Sequence, residues 1–385
     1  MALTVRYCDC DLATGLNDGT SEANAWQSLS DFAAGYAAGQ HIYFKQTATR
    51  HSEATVSLTT SASATGPIIC EGYKTTIGDG GDSGETNYFQ LSSIIDCTTG
   101  SGLEFRFIDW EGDPGGNTLY LWDLSAAVTG VLYRCRIKNT RTTSTVPLVS
   151  LDDEGFAIGC TFIPGTGQTA VEVADAGVCI FCRIDLSGSS TNGILITHGA
   201  LQYQYVICNM ILGTGTGKGI FSTNYTDASA GKNRIIYGNS IYNVSEGIEF
   251  KGVISLSRSA QDLIFGNVIW NCATDGISNL GSNTSGVTIM YNAVGDCTSD
   301  RYSGWGDNPT GIGDVTLTVD PFNDAANWDF RLNSTTGGGL ELQDTLVPDI
   351  NLDGGDLNQQ HYGAVQAIAA AAGGTILSQM MHHAA

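Results

Sequence analysis

The hydrophobic pattern of the middle of the chain repeats at a nearly constant interval. Seven short segments have the same order: any residue, then Cys or Asn, then any residue, then an aliphatic or aromatic residue. The Cys or Asn positions are Cys135, Cys160, Cys182, Cys208, Asn239, Asn267 and Asn292. Their intervals are 25, 22, 26, 31, 28 and 25 residues. Such a period predicts a solenoid, in which each coil buries its apolar face against its neighbours.

A second set of short β-branched segments recurs with the first. It comprises Ala170-Val171, Gly193-Ile194, Gly219-Ile220, Gly247-Ile248 and Gly276-Ile277. Two short strands per repeat, without leucine-rich spacing, predict an all-β parallel β-helix. Stacked Asn side chains can hydrogen-bond from coil to coil, whereas an inward Cys behaves as a small apolar residue. We therefore predict one ladder, filled first by Cys and then by Asn, with Ile241 and Ile269 pointing inward two residues later.

Both ends of the chain carry further motifs. Residues 17–21 and 25–29 form an entry motif, and the last two of these residues begin a predicted capping helix over residues 28–39. Its residues Leu29, Phe32, Ala33 and Tyr36 lie on one face. Asp320-Pro321-Phe322, Asp329-Phe330-Arg331-Leu332 and Tyr362-Gly363-Ala364-Val365 follow the repeats. In these motifs the chain resembles the right-handed parallel β-helix superfamily, which includes pectate lyases and many phage proteins. The resemblance implies the fold, but that fold hosts lyases, hydrolases, epimerases and structural proteins alike.

These motifs predict four segments. They are an N-terminal strand and capping helix (1–40), a β-helix body (41–320), a closing segment (321–363) and an apolar C-terminal tail (364–385). An apolar tail usually needs a covering partner. It could cap its own last coil or lie against a neighbouring subunit, and we expect the second. The resemblance to phage proteins implies a homotrimer, and deletion after Gly363 would then give monomers by light scattering.

The charge of the chain excludes some partners. There are 39 acidic and 17 basic residues, for a formal net charge of −22. This field opposes binding to nucleic acid and long-range capture of polyanionic glycans. It can attract Ca²⁺, and otherwise the sequence predicts no cofactor. No segment has the roughly 18 consecutive apolar residues of a membrane span.

The eleven cysteines are predicted to be free thiols, mostly buried. Cys179-x-x-Cys182 has the spacing of a redox or metal motif, but an odd separation in a strand puts the two side chains on opposite faces. Cys8 and Cys10 share a face, flanked by Asp9 and Asp11. They are expected to belong to the first strand or cap, with a metal site as the weaker alternative, so no metal site is predicted.

Four residues are candidates for catalysis. Glu246, Glu249 and Lys251 lie around the Gly247 repeat, and Asp275 occupies the matching turn one coil later. Stacking would bring Glu246 and Asp275 about 5 Å apart at the backbone, as an acid pair or a Ca²⁺ site. The alternative is that both are exposed turn residues before a glycine. Asp152-Asp153-Glu154 is predicted to be a solvent-facing turn, and a dense Asp/Arg set typical of lyases is not evident.

Aromatic residues in the later repeats suggest a glycan site. The candidates are Tyr225, Trp270, Arg301, Tyr302 and Trp305. Flat rings, an Arg and short polar groups are the mix that binds sugars. The same loop could instead pack its Trp against the last coil.

The leading hypothesis is a phage-type virion surface protein, such as a tail spike, fibre or capsid decoration, that attaches to host glycan or other virion proteins. No signal peptide is visible, which favours synthesis in a host cytoplasm and a final location in the virion or outside the cell. The alternative is a secreted chain whose signal has been removed. The alternatives are a polysaccharide lyase or glycoside hydrolase on the same fold and an adhesin-like module. The sequence predicts no unsaturated product from polyanionic glycans.

Overall fold

The chain folds into two compact units, Met1–Arg183 and Ile184–Ala385, here called unit 1 and unit 2. The computed structural model describes residues 3–53, 56–58, 66–79, 89–92, 95–96, 102–113, 122–123, 130–141, 146–151, 155–188, 191–197, 204–223, 234–251, 262–280, 287–305 and 312–342. The predicted tail (364–385), Tyr225 and Asp152-Asp153-Glu154 lie outside these residues. None of the described helices is long and apolar enough to cross a membrane.

Unit 1 contains short parallel strands and one α-helix among its described residues. The strands are β1 (Thr4–Cys8), β2 (Gln40–Lys45), β3 (Val56–Ser57), β4 (Ile68–Tyr73), β5 (Phe89–Leu91), β6 (Ile95–Asp96), β7 (Leu103–Arg106), β8 (Ile108–Gly112), β9 (Trp122–Asp123), β10 (Val131–Tyr133), β11 (Arg136–Asn139), β12 (Val149–Leu151), β13 (Phe156–Ile158), β14 (Thr161–Ile163), β15 (Val171–Val173) and β16 (Val178–Ile180). A 3₁₀ turn covers Glu22–Asn24.

The helix α1 (Leu29–Gly35) is shorter than the predicted span of 28–39. Ser28 caps its first turn by accepting a hydrogen bond from the Asp31 amide. The helix stops because Tyr36 takes an extended conformation, with φ −73° and ψ 155°. Leu29, Phe32 and Tyr36 are buried, as the sequence pattern predicts.

In unit 1, successive coils contribute strands to three parallel sheets. The first sheet has the order β1-β2-β4-β7-β10-β13-β16, the second β5-β8-β11-β14 and the third β9-β12-β15. Every pairing within these sheets is parallel, and each strand pairs with its counterpart one coil away. The predicted parallel solenoid is therefore confirmed in this unit.

Cysteines fill the predicted ladder of unit 1. Cys135, Cys160 and Cys182 are buried, and their thiols donate to the carbonyl oxygens of residues one coil earlier, at 3.4, 3.4 and 3.5 Å. The residue before each takes a left-handed conformation. Burial raises the pKa of all three thiols well above its usual value. They are protonated core thiols that form no disulfide bond, as predicted.

Unit 2 repeats the same architecture. Its described strands are β17 (Arg183–Asp185, beginning on the last residue of unit 1), β18 (Asn192–Ile196), β19 (Gln204–Ile207), β20 (Met210–Leu212), β21 (Lys218–Ser222), β22 (Arg234–Tyr237), β23 (Ser240–Val244), β24 (Glu246–Phe250), β25 (Asp262–Phe265), β26 (Val268–Cys272), β27 (Ile277–Asn279), β28 (Val287–Met290), β29 (Ala293–Cys297), β30 (Tyr302–Ser303), β31 (Val315–Leu317), β32 (Phe322–Asp324) and β33 (Asp329–Leu332). Two 3₁₀ turns cover Ala325–Asn327 and Gly339–Leu342.

Three parallel sheets also run through unit 2. Their orders are β19-β22-β25-β28, β20-β23-β26-β29-β31 and β18-β21-β24-β27-β30. The closing segment adds an antiparallel hairpin of β32 and β33. Ile241 and Ile269 pair across β23 and β26 and have no exposed surface, which confirms their predicted inward direction.

Asparagines form the ladder of unit 2, but it begins one residue later than predicted. Asn209 donates from its side-chain amide to Asn239 Oδ1 at 3.0 Å, and Asn239 donates to Asn267 Oδ1 at 2.9 Å. Asn267 continues the ladder to Asn292 Oδ1 at 2.9 Å. Backbone amides donate to the same oxygens, and the Asn292 amide donates to Asp314 Oδ1 at 2.7 Å.

The assignment of Cys208 to the ladder is wrong. Because Met210 pairs with Ser240, the residue in register with Asn239 is Asn209. Cys208 occupies the preceding left-handed position, with φ 53°, which Gly238 fills in the next coil. Cys and Asn are adjacent here, so the sequence pattern accepts either residue. The backbone turn decides between them.

Candidate functional site

A column of polar side chains lines the third sheet of unit 2, where its strands begin. Asn192 pairs with Lys218, and Lys218 pairs with Glu246. The backbone of Asp275 continues the stack, because its carbonyl oxygen accepts from the Gly247 amide at 3.1 Å. Asp300 follows, accepting from the Gly276 amide at 2.9 Å. We call these five residues the polar column.

The Gly-Ile repeat explains why polar residues stand at this position. A Cβ on Gly247 would lie 2.5 Å from Ile269 Cγ2 and 2.5 Å from the Gly276 carbonyl oxygen. The glycine therefore admits no side chain, and the following Ile248 is fully buried. The residue before the glycine is the first one in each strand that can hold a side chain at the surface.

Three side chains of adjacent coils form an ionic group on this column. The Lys218 ammonium makes a short contact with the Glu249 carboxylate and lies 3.9 Å from Glu246 Oε2. The Glu249 side chain is only 2% exposed. The Lys218 ammonium also lies 4.3 Å from the centre of the Phe221 ring. A buried carboxylate is costly without a cation, and Lys218 supplies that cation to Glu249.

Glu246 has the more unusual carboxyl group. Burial and the neighbouring Glu249 raise the pKa of Glu246 to about 7, against the lowering effect of Lys218. Its Oε2 atom is buried, and no described residue donates a hydrogen bond to it. A carboxyl group with a pKa near the working pH can both give and take a proton. This is the property expected of a general acid or base.

Asp275 lies on the coil after Glu246, as the sequence predicts. Its carboxylate accepts from the Asp300 amide at 3.1 Å and contributes to the raised pKa of Glu246. Neighbouring strands of a sheet are about 4.8 Å apart. The backbones of Glu246 and Asp275 therefore lie one strand spacing apart in the stack.

The cation of this group is Lys218, which the sequence analysis missed. The candidate Lys251 is exposed at the end of β24, and no ion pair joins it to the described residues of the group. Lys218 precedes Gly219-Ile220 just as Glu246 precedes Gly247-Ile248. Aligning the residue before each glycine would have found it.

The predicted glycan residues are distributed differently from the expectation. Trp270 and Trp305 are each only 8% exposed, and the Trp305 indole donates to the Ile277 carbonyl at 3.3 Å. Both rings therefore contribute to the core. Arg301, which donates to Thr316, and Tyr302, which begins β30, are partly exposed. Their role in glycan binding stays a prediction.

Unit 1 carries a dense Asp/Arg group that the sequence analysis did not find. Arg50 and Arg136 hold the two oxygens of buried Asp109 at 3.0 and 2.7 Å. Arg136 and Lys138 also reach Glu111, at 3.2 and 2.7 Å. Arg50 is 59 residues from Asp109, so only the fold reveals this contact. Asp109 already has two cations and Glu111 has three, because Arg50 also lies 3.6 Å from Glu111, which makes the group a structural network.

The comparisons with known proteins concern the fold. No protein-family model matches the chain, and no curated protein sequence matches it. Among solved structures, the chain is similar to pectate lyase Pel9A, with 13% identity and a TM-score of 0.53, over 90% of this chain and 92% of that chain. A PL6 family polysaccharide lyase, Pedsa3628 from Pseudopedobacter saltans, aligns with 12% identity and a TM-score of 0.32, over 80% and 95% of the two chains.

The first likeness, together with the stacked parallel sheets, defines the class of protein. The chain has the right-handed parallel β-helix fold of the pectate-lyase type. At 13% identity the likeness extends to the fold alone. The chemistry must therefore be argued from the residues of this chain.

Proposed function

We propose that this chain is a carbohydrate-active β-helix that cleaves a glycan by acid–base chemistry at the polar column. The observation that carries the proposal is Glu246, whose partly buried carboxyl has its pKa raised to about 7 beside the Glu249–Lys218 pair. The alternative of two exposed turn residues does not account for a buried partner carboxylate and a shared lysine.

Each residue has a role in this scheme. Protonated Glu246 gives its proton to the glycosidic oxygen as the C–O bond breaks. The Asp275 carboxylate, one coil away, attacks the sugar carbon that carried this oxygen. Glu246, now ionised, takes a proton from a water molecule, whose oxygen bonds to the same sugar carbon as the bond from that carbon to the Asp275 carboxylate breaks. Lys218 and Glu249 touch neither bond and set the pKa of Glu246.

The charge around the site favours a neutral glycan over a polyanion. In the described part of this site, Glu246 and Glu249 share the ammonium group of Lys218. The acidic residues Asp275 and Asp300 follow on the next two coils. A polyuronate would meet this acidic surface and the net charge of −22. We therefore expect release of reducing ends from neutral polysaccharides and no unsaturated product from pectate or alginate.

The test is an assay of reducing-end release on a panel of neutral polysaccharides, with and without Ca²⁺. Glu246→Gln and Asp275→Asn should each lower turnover by about 100-fold or more, since proton transfer alone contributes roughly 10²–10⁴-fold. Lys218→Gln should shift the pH optimum, whereas the matched change Lys251→Gln should leave the rate and its pH profile unchanged. Turnover that survives in Glu246→Gln would overturn the proposal.

The second candidate is glycan attachment without cleavage, as in a phage tail spike, fibre or capsid decoration protein. The partly exposed Arg301 and Tyr302, adjacent at the start of β30, favour it. In this case the chain would bind a surface polysaccharide and release no product. Tyr302→Ala would weaken the binding, and Glu246→Gln would leave it unchanged. A homotrimeric mass by light scattering would agree with this role.

A further inference from the structure

A thiol, an imidazole and a carboxyl group meet in unit 1, far along the sequence from the polar column. One ligand atom each of Cys10, His51 and Glu53 lies within 4.8 Å of the other two. Cys10 follows β1, while His51 and Glu53 precede β3. His51 Nε2 is 2.5 Å from Glu53 Oε1, and all three residues are only partly buried. An ion from solvent can therefore reach the group.

The backbone around these side chains is fixed on several sides. The His51 amide donates to the Gln90 carbonyl at 2.9 Å, and the Ser92 amide donates to the His51 carbonyl at 2.8 Å. Glu53 accepts from the Leu29 amide at 2.7 Å and from the Ser30 amide at 3.1 Å, at the start of α1. Such outer contacts orient metal ligands before the ion arrives.

The chemistry of the three groups selects the ion. Thiolate, imidazole and carboxylate bind Zn²⁺ at about 2.0–2.3 Å, which puts tetrahedral ligand atoms about 3.3–3.8 Å apart. Small side-chain rotations bring atoms within 4.8 Å of each other to that spacing. Ca²⁺ and Mg²⁺ prefer oxygen ligands and do not use a thiolate.

We propose that unit 1 holds one zinc ion, bound by Cys10, His51 and Glu53. The ion links the end of β1, the segment before β3 and, through Glu53, the first turn of α1. It thereby ties the capping helix to the first coils. This site is separate from the polar column and does not depend on the proposed glycan chemistry.

Zinc binding is tested on the full chain, stripped with a chelator and kept in a phosphine reductant. Equilibrium dialysis against Zn²⁺ should give one ion per chain, and Co²⁺ should give a thiolate-to-cobalt charge-transfer band. Cys10→Ser should abolish that band. His51→Gln and Glu53→Gln should weaken Zn²⁺ binding by at least about 100-fold, the upper end of the effect of second-shell changes.

The matched control is Cys297→Ser, since Cys297 is also a partly buried free thiol but lies in unit 2. It should keep both the stoichiometry and the cobalt band. Zn²⁺ should raise the melting temperature of the wild type and of Cys297→Ser, but not that of His51→Gln. His51→Gln tests the site even if Cys10→Ser fails to fold, because its partly exposed side chain is not in the core. Unchanged binding in His51→Gln and Glu53→Gln, or loss only in Cys297→Ser, would overturn the proposal.

Discussion

The Cys ladder of unit 1 and the Asn ladder of unit 2 occupy equivalent positions of the coil but form hydrogen bonds of different strength. Both fill the buried position that follows a left-handed residue in each coil. In unit 1 each thiol gives a weak bond of 3.4–3.5 Å to a carbonyl of the preceding coil. In unit 2 the side-chain oxygens of Asn239, Asn267 and Asn292 each accept both a backbone amide and a side-chain amide, at 2.9–3.1 Å.

The difference teaches that a shared position need not have a shared energetic role. Removing a buried thiol costs little stability beyond its packing contacts, because no polar partner depends on it alone. Removing a buried amide costs more, since it leaves donors of the neighbouring coil unpaired. The two ladders should therefore respond differently to truncation, whereas the aliphatic positions beside them should respond alike.

The largest effect is expected at those aliphatic positions. Ile137 of unit 1 and Ile241 of unit 2 each follow a ladder residue by two and have no exposed surface. Ile137→Asp and Ile241→Asp should each lower the free energy of unfolding by about 4–5 kcal/mol, because neither carboxylate finds a buried partner. Denaturant unfolding measures this, with Ile→Val at both positions as controls. An unchanged melting temperature in Ile241→Asp would show that the coil register is wrong.

The second-largest effect is expected from substitutions in the two ladders, which should differ in their cost to the free energy of unfolding. Asn267→Ala removes the oxygen that accepts the backbone and side-chain amides of Asn239, and should cost about 2–5 kcal/mol. Cys160→Ala removes a single sulfur atom and should cost about 1–2 kcal/mol. Denaturant unfolding of both variants gives the comparison. Equal costs would mean that the amide contacts add nothing to packing.

A smaller contrast tests the corrected register at the first Asn coil. Asn209→Ala should cost about 1–3 kcal/mol, because the Asn239 oxygen loses one of its two donors. Cys208→Ala should cost about 1 kcal/mol, the loss of one small buried group. Melting curves of the two variants measure the difference. The opposite order would restore Cys208 to the ladder.

The smallest effect concerns pH and the polar column. The folded-state pKa of Glu246 is about 7, above its ordinary value of 4.5, so the folded chain binds the proton more tightly than the unfolded chain. The stability from this group is present below pH 4.5 and is lost as pH rises through about 7. Glu246→Gln should remove this fall in stability. The stability of the variant relative to the wild type should therefore rise between pH 4.5 and about 7. Melting temperatures at several pH values measure it, with the exposed Glu341→Gln as the control.

Hydrophobic periodicity alone determined the fold of this chain. A repeat of about 25 residues with two β-branched segments predicts stacked parallel strands, because each coil must bury its apolar side on the next. It also located the inward Ile241 and the stacking of Glu246 with Asp275, since both follow from counting within one repeat. The length of α1 was overestimated, because an extended Tyr36 ended the helix.

Tertiary structure decided which residue of an adjacent pair enters the core and which distant side chains meet. Asn209 rather than Cys208 joins the ladder because the left-handed turn falls on Cys208. Lys218, rather than Lys251, reaches Glu249 because one coil of the solenoid stacks directly on another. Cys10 and His51 are far apart in the sequence, so their proximity is evident only in the folded chain. A sequence pattern records which residues repeat, but contacts between coils depend on a register that only the folded backbone sets.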